Sequence, residues 1–570
     1  MIVYKFRRAL FVIILCLSPI ASSHFTLAEE IAQFPDPLPP TTPKLPEPEF
    51  LPPPQELLPS PQVSPSPSSP LPEAIPGTIT VERFEVVGST VFSSTEFDLI
   101  TAPFTQRPIT FAELLQVQDA ITQLYIQEGY ITSGAFTPPQ ALQDGVVIIE
   151  VLEGEVEGIE ITGSERLKPS YIRSRLARAT QAPFQVNRLL EALQLLQLDP
   201  LIKRLSAELT AGSHTGSSIL ALKVEEAPTF STVFRLDNGR SPSVGSVRRQ
   251  ISIREGNLLG FGDAVTLAYT NTEGSNALDE LSYTLPINSR NGTVQFSYSL
   301  SGNNVIEAPF NEIDIESNSR NYQITYRQPL WQTPSQEFAL GVTAQRRESE
   351  TSLLNVPFPL SAGSNDDGET KLSVLRFFQE WTNRGSQEVL ALRSQFNLGL
   401  NVFNATDNNE PPDGQFFSWQ GQAQYLRLLA PDTLLVLRSD LQLASETLVP
   451  IEQFGLGGIS NIRGYRQDFL LADNGLFASA EVRFPIARIS EWNSILQLVP
   501  FFDYGTVWNS SDRENPNPTT LSSVGVGLLW RIGQKFTARL DWGVPLVEVD
   551  RSEDTWQEKG IYFSLEYRPF

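Results

Sequence analysis

A glycine-rich stretch near the C-terminus, FGLGGISNIRGYRQD at positions 454–468, carries residue types suited to ligand chemistry. Glycine lets a backbone fold back tightly, and the guanidinium of Arg463 presents a rigid fork of donors to a carboxylate or phosphate. A phosphate loop would need a Lys-Ser or Lys-Thr pair after its glycines and a helix behind it, and the sequence predicts neither. The stretch is therefore better suited to a carboxylate than to a nucleotide.

Catalytic and metal-binding residue types are scarce in the rest of the chain. The only cysteine is Cys16, and the only histidines are His24 and His214. Such a set does not favour a Ser–His–Asp triad, a cysteine nucleophile, a thiolate metal site or a histidine cluster. We expect no catalytic residues, no metal and no cofactor, and we expect that the chain is not an enzyme.

The length and charge restrict the class of protein. The chain has 570 residues, which is enough for several domains, and its formal net charge is −23. Nucleic-acid binders need a basic surface, so no nucleic-acid partner is expected.

The N-terminus predicts export. Basic residues precede a short apolar run from Ala9 to Leu17, which is typical of a secretory signal peptide, with cleavage after Ala28 or near Ala21. Seventeen of the 43 prolines then fall within residues 34–77, a composition that favours an extended linker over a packed core.

An internal repeat follows the linker. The segment VERFEVVGST begins at Val81 and VEGIEITGSE at Val156, with Gly88 and Gly163 in equivalent positions. Each copy has the pattern strand, helix, helix, strand, strand, which predicts two α+β domains. Their leucine-rich helical faces predict packing cores.

Period-two alternation replaces helical periodicity after the repeats. The segment TVQFSYSL places Phe296 and Tyr298 on one face and Gln295 and Ser297 on the other. In an outer-membrane barrel the apolar face meets lipid and the polar face meets a wet lumen. Sixteen strands are predicted to start near positions 229, 246, 263, 279, 292, 321, 336, 370, 386, 415, 433, 474, 493, 519, 535 and 560.

The predicted fold is therefore a pair of α+β repeats followed by a 16-stranded antiparallel transmembrane β-barrel. The predicted boundaries are a signal peptide at 1–28, a proline-rich linker at 29–78, α+β domains at 79–154 and 155–228, and the barrel at 229–570. The glycine-rich stretch then lies between the eleventh and twelfth strands.

Two motifs carry a family resemblance. NIRGYRQD resembles the VRGY/F motif of the Omp85 superfamily, and FFDYGTVW contains the later F-x-D-x-G motif. The repeats resemble POTRA domains, and the segment 129–161 resembles the form found in two-partner (type V) secretion transporters, the TpsB or ShlB/FhaC/HecB family. The resemblance covers residues 79–570.

The resemblance implies roles for individual residues. In the superfamily the sixth extracellular loop folds into the lumen, where its arginine pairs with the aspartate of the second motif on the barrel wall. Arg463 would then be the loop-tip cation and Asp503 its partner, either as a static brace or as a hold on one of two loop positions. The other expected site residues are Ile462, Gly464 and Tyr465 in the loop, Phe501 and Gly505 on the wall, and Phe570 as the insertion signal.

The implied function is an outer-membrane translocator with its linker and POTRA domains in the periplasm. It would capture an unfolded exported partner by strand addition at 131–136 or 205–209, and pass it through the barrel. The implied partner is a large β-helical adhesin or cytolysin with an N-terminal secretion domain. Other implied contacts are outer-membrane lipid and, during insertion, the barrel-assembly machinery. The alternative is a BamA-like insertase of other barrels. A plug helix, for which only EEIAQF is available, is not expected.

Overall fold

The computed structural model describes residues 78–142, 144–510, 513–549 and 555–570. The predicted signal peptide, the segment EEIAQF and the proline-rich linker up to residue 77 lie outside the described residues. Within the described ranges, no helix is both long enough and apolar enough to cross a membrane.

The first repeat is a small α+β domain in which two helices cover a sheet of order β2-β5-β4. A second pair, β1 and β3, adds two short strands that the repeat pattern did not predict. The elements of this first domain are β1 (Thr78–Val81), β2 (Arg83–Val87), α1 (Ser94–Thr101), β3 (Arg107–Thr110), α2 (Phe111–Gln127), β4 (Gly134–Phe136) and β5 (Val146–Leu152).

Local sequence explains where the longer helix begins and which face it buries. Thr110 and Glu113 form a capping box, in which the Glu113 carboxylate accepts a 2.7 Å hydrogen bond from the Thr110 backbone. Val117, Ile121 and Tyr125 follow at helical spacing and are fully buried against the sheet. The helix therefore supplies the core of the domain.

The second repeat has the same layers, with a sheet of order β6-β8-β7. Its elements are β6 (Glu155–Thr162), α3 (Pro169–Leu176), α4 (Val186–Gln197), β7 (Ile202–Ala211) and β8 (Ser217–Glu226). The repeated glycines have the same role in both domains: Gly88 and Gly163 have φ angles of +84° and +80°, and a Cβ on either would collide with a strand carbonyl, that of Val151 or Val224.

The remaining chain closes into an antiparallel barrel of sixteen long strands, as predicted, with β27 paired to β9. The long strands are β9 (Phe230–Asp237), β10 (Arg248–Glu255), β11 (Ala264–Asn271), β12 (Ser275–Pro286), β13 (Thr293–Asn304), β14 (Ile315–Gln332), β15 (Gln336–Leu353), β17 (Glu369–Arg384), β18 (Glu388–Gly399), β19 (Phe417–Ala430), β20 (Thr433–Ala444), β23 (Asn474–Ile489), β24 (Ser494–Trp508), β25 (Thr520–Ile532), β26 (Phe536–Pro545) and β27 (Ile561–Tyr567). Short pieces are β16 (Val356–Pro357), β21 (Phe454–Leu456) and β22 (Leu470–Ala472).

The faces of the barrel strands follow the predicted alternation. Phe296 and Ile324 are each 50 % exposed on the outside, whereas Ser301, Ser319 and Thr343 are buried inside. An apolar outside around a polar inside is the arrangement that a lipid bilayer requires of a closed barrel.

The second domain is fixed against the near end of the barrel. Arg166 pairs with Glu255 at 3.1 Å, and the Lys168 ammonium lies 3.2 Å from the centre of the Phe261 ring. Gly262 faces the Tyr171 ring so closely that a Cβ would collide with it, and burial raises the pKa of the Tyr171 phenol. The opposite end of the barrel is called the distal end below.

Candidate functional site in the barrel lumen

The glycine-rich stretch belongs to the loop between β20 and β23, which starts at the distal end and folds back into the barrel. β21 and β22 pair to form a stalk, and residues 457–469 form the tip. Gly457 and Gly458 join stalk to tip with φ angles of +115° and +100°, where other residues are strained. The glycines thus shape a re-entrant loop.

Arg463 lies at the tip and binds a carboxylate on the barrel wall. Its Nε and Nη2 donate to the two oxygens of Asp503 on β24 at 2.8 and 2.9 Å, and its backbone N–H donates to the same carboxylate at 3.2 Å. Arg463 is 1 % exposed and Asp503 is 0 % exposed. The guanidinium also lies 3.4 Å from the centre of the Phe501 ring. Three of the expected site residues are therefore brought together.

A second carboxylate, which the sequence analysis missed, shares the arginine. Glu481 on β23 accepts hydrogen bonds from Arg463 at 3.2 Å, from Arg539 at 2.9 Å and from Arg483 at 2.7 Å. Asp541 adds a third carboxylate through Arg539 at 2.7 Å. Three arginines thus meet three carboxylates, which is how a buried charge cluster is stabilised. Alternation places Glu481 inside the barrel, but no spacing indicates that the loop reaches it.

Residues around Arg463 fix the depth of the tip. The Gly464 N–H donates to the Tyr562 hydroxyl at 3.0 Å, and that hydroxyl donates to the Tyr465 carbonyl. The Tyr465 hydroxyl in turn donates to the Ser522 carbonyl at 2.8 Å. The tip is therefore bound to β25 and β27 as well as to β24.

The apolar side of the tip explains the glycine of the second motif. Ile462 is fully buried, and a Cβ on Gly505 would lie 2.7 Å from its Cδ1 atom and 2.9 Å from Leu456. Only a residue without a side chain leaves room for Ile462 at this point on the wall.

Gly543 offers a test of how closely the tip must approach the wall. A Cβ at this position would lie 2.7 Å from the backbone of Arg463 and Gly464. We expect Gly543→Ala to displace the tip and to lower the free energy of unfolding by about 1–3 kcal/mol, as overpacking does. The thermal unfolding midpoint of the detergent-purified barrel measures this.

Gly385→Ala is the matched control, because the nearest atom to its added Cβ lies at 3.4 Å, an ordinary contact. Equal unfolding midpoints for the two variants would show that the tip does not need this close approach.

The base of the loop, residues 448–452, has its own attachment to the barrel wall. Glu452 accepts a 2.7 Å hydrogen bond from Arg376 on β17, and both side chains are nearly buried. Leu448, Val449 and Ile451 pack into an apolar cluster beside this pair. The base of the loop is therefore held independently of its tip.

Phe570 lies apart from the loop. β27 ends at Tyr567, and the Phe570 side chain is 77 % exposed, with its ring centre 6.2 Å from that of Phe230 on β9. It therefore lies at the near end of the junction where the barrel closes. Across the described ranges, no cluster of three or more His, Cys, Asp or Glu side chains could hold a metal ion.

Two family models match the chain, one over most of the barrel and one over the first α+β domain. The model described as haemolysin secretion/activation protein ShlB/FhaC/HecB matches residues 216–529. The model described as POTRA domain, ShlB-type, matches residues 79–154.

Individual proteins are similar over most of their length. The outer membrane transporter CdiB of Escherichia coli O6:K15:H31 is 26 % identical, covering 85 % of this chain and 82 % of its own. The heme/hemopexin transporter protein HuxB of Haemophilus influenzae strain 86-028NP is 22 % identical, covering 80 % and 81 %.

Two solved structures share the fold. That of CdiB from Escherichia coli has a TM-score of 0.66 at 22 % identity, covering 89 % of this chain and 93 % of that one. That of BamA from Haemophilus ducreyi lacking POTRA domains 1–3 has a TM-score of 0.52 at 15 % identity, covering 86 % and 100 %.

Proposed function

The chain belongs to the haemolysin secretion/activation protein family ShlB/FhaC/HecB, whose members are outer-membrane translocators of two-partner secretion, and from this we propose how it moves its cargo. Its POTRA domains capture an unfolded exported partner in the periplasm, and the partner passes through the barrel lumen to the cell surface. The observation that carries the proposal is the re-entrant loop, which occupies the lumen through the Arg463–Asp503 contact.

We propose that this contact holds one of two loop positions. A buried ion pair contributes little net stability, because desolvation offsets its attraction, so a purely structural brace could be replaced by apolar packing. An ion pair can instead separate when the loop moves, because entering water then solvates both charged side chains. A lumen filled by the loop has to be cleared before a polypeptide can pass.

The second POTRA domain offers the better edge for capture. In the first domain the edge strand β4 has only three residues, and its Ala135 N–H already donates to the Thr122 hydroxyl at 3.0 Å. On the neighbouring strand β5, the Gln140 side-chain amide forms hydrogen bonds with both the N–H and the carbonyl of Ile148. Of the two candidate edges at 131–136 and 205–209, the first is therefore largely occupied.

The edge of β7 is longer and more open. It runs for ten residues, and the Gln197 amide binds only its first part, at Lys203 and Leu205. Because alternate residues face the same side of a strand, the backbone groups of Ala207 and Leu209 also point outward. An extended chain could add there as a further strand.

The partner that we propose is a large exported protein with an N-terminal secretion domain and a β-helical body, an adhesin or a cytolysin. No ATP-binding motif stands in the sequence, so we propose that folding of the partner outside the cell supplies the direction of transport.

A gene deletion tests the proposal. Loss of one very long exported protein from the surface or the medium, with other outer-membrane barrels unchanged, is the expected result. A general loss of barrels from the outer membrane would instead identify a BamA-like insertase.

A further inference from the structure

A second arginine in the loop tip, Arg466, binds carboxylates other than those that bind Arg463. Its guanidinium binds Glu307 through two hydrogen bonds, of 2.7 and 3.1 Å, and lies 3.5 Å from Glu558. Glu307 belongs to the distal loop between β13 and β14, and Glu558 to the distal loop between β26 and β27. One side chain thus joins three loops across the mouth of the barrel.

The loop that carries Glu307 is bound to its neighbours. The Ile306 N–H donates to the Ser243 carbonyl at 2.9 Å, and the Asn304 N–H donates to the Gly274 carbonyl at 2.7 Å. These backbone hydrogen bonds connect three successive distal loops. A movement of Glu307 would therefore carry the neighbouring loops with it.

The residue after Arg466 also binds the loop between β26 and β27. The Gln467 N–H donates to the Gln557 side chain at 2.8 Å, and Gln557 donates to the Arg240 carbonyl at 2.6 Å. The tip and the loops around it are therefore connected by hydrogen bonds at the distal end.

The two arginines differ in how firmly they are held. The side chains of Arg466 and Glu307 are 25 % and 29 % exposed, whereas those of Arg463 and Asp503 are at most 2 % exposed. Water and salt weaken partly exposed ion pairs much more than buried ones. The Arg466 contact is therefore the easier of the two to open.

We propose that Arg466 is a positioning residue for export, and that with Glu307 and Glu558 it forms a latch that keeps the distal mouth closed. The latch opens first and frees the surrounding loops, and only then does Arg463 leave Asp503. This inference rests on the proposed function, because it assigns an order of events to the same loop.

Ion conductance of the purified full-length chain in planar bilayers tests the latch without any partner protein. Glu307→Gln is expected to raise the fraction of time that the channel spends open by about threefold to tenfold, since it removes the negative charge that pairs with Arg466. Glu312→Gln is the matched control, because it neutralises a carboxylate of the same loop that does not pair with Arg466. An open fraction that is the same in both variants overturns the proposal.

A reversible cross-link separates a latch from a merely structural contact. With the only natural cysteine removed by Cys16→Ser, the substitutions Glu307→Cys and Arg466→Cys provide a unique pair of thiols. Joining the two thiols with a cleavable bis-maleimide is expected to suppress channel openings, and cleavage should restore them. Openings that persist while the link is intact overturn the latch. If the cross-link suppresses channel openings and its cleavage restores them, but the chain exports no partner, only the proposed function is contradicted.

Discussion

Replacement of Arg463 by alanine is expected to abolish or strongly reduce export of the partner while the barrel still inserts. The substitution leaves Asp503 buried without its cation and deprives Glu481 of one of three arginines. Stranding a buried charge costs about 3–5 kcal/mol, which corresponds to a shift of roughly a hundredfold or more in the docking of the tip. Because we propose that export needs both loop positions, a loop that no longer returns to its docked position stops the export cycle.

The experiment compares the exported partner in the medium with the amount of folded barrel in the outer membrane. The matched control is Arg488→Ala, which breaks an arginine–carboxylate pair with Asp432 whose side chains are about half exposed, 55 % and 49 %. Exposed pairs of this kind contribute little, so the control should export normally. Export by Arg463→Ala at the wild-type rate would show that the loop has no gating role.

Replacement of Leu209 by proline is expected to reduce export at least about tenfold by closing the open edge of β7. Proline removes the outward N–H that a captured strand would need and places its ring there instead. The hydrogen bonds from β7 to β8 come from the alternate residues, and proline is tolerated on edge strands, so the domain should still fold.

Leu209→Ala is the control, because it shortens the side chain and keeps the backbone donor. We expect it to export at a rate much closer to that of the wild type. If both variants fall to the same level, the side chain rather than the strand edge contributes to capture. If both export normally with folded POTRA domains, the partner does not add at this edge.

Much of the barrel could be predicted from the sequence because alternation is a local signal. The start of β20 was predicted at its observed position, and most of the other barrel strands start within a few residues of the prediction. The larger differences are at β12 and β14, which begin earlier than predicted. β12 begins with the polar residues Ser275 and Asn276, and in β14 Ile315 is followed by five polar residues, Glu316–Arg320, so the alternation is weak at these distal ends.

The shorter elements could not be predicted. β1, β3, β21 and β22 have three or four residues each, which is too few for alternation to show. Each is stabilised by the partner strand that the fold brings to it, β3 for β1 and β22 for β21.

The site was predicted in part. The pairing of Arg463 with Asp503 is what the family resemblance implies, whereas Glu481 becomes a partner only because the loop bends back onto β23. Arg466 stands beside the motif, yet its partner Glu307 lies 159 positions earlier in the chain. Contacts of this kind depend on the closed barrel and leave no local pattern.

Cross-linking from inside the barrel tests whether the partner passes through the lumen. Gln395 and Phe396 are neighbours on β18: the first is 4 % exposed and points into the lumen, and the second is 37 % exposed and points outward. A photoreactive residue at each position would be tested against a partner arrested in transit by a fused, folded domain. We expect cross-links from position 395 and none from position 396. Cross-links from position 396 alone would contradict passage through the lumen.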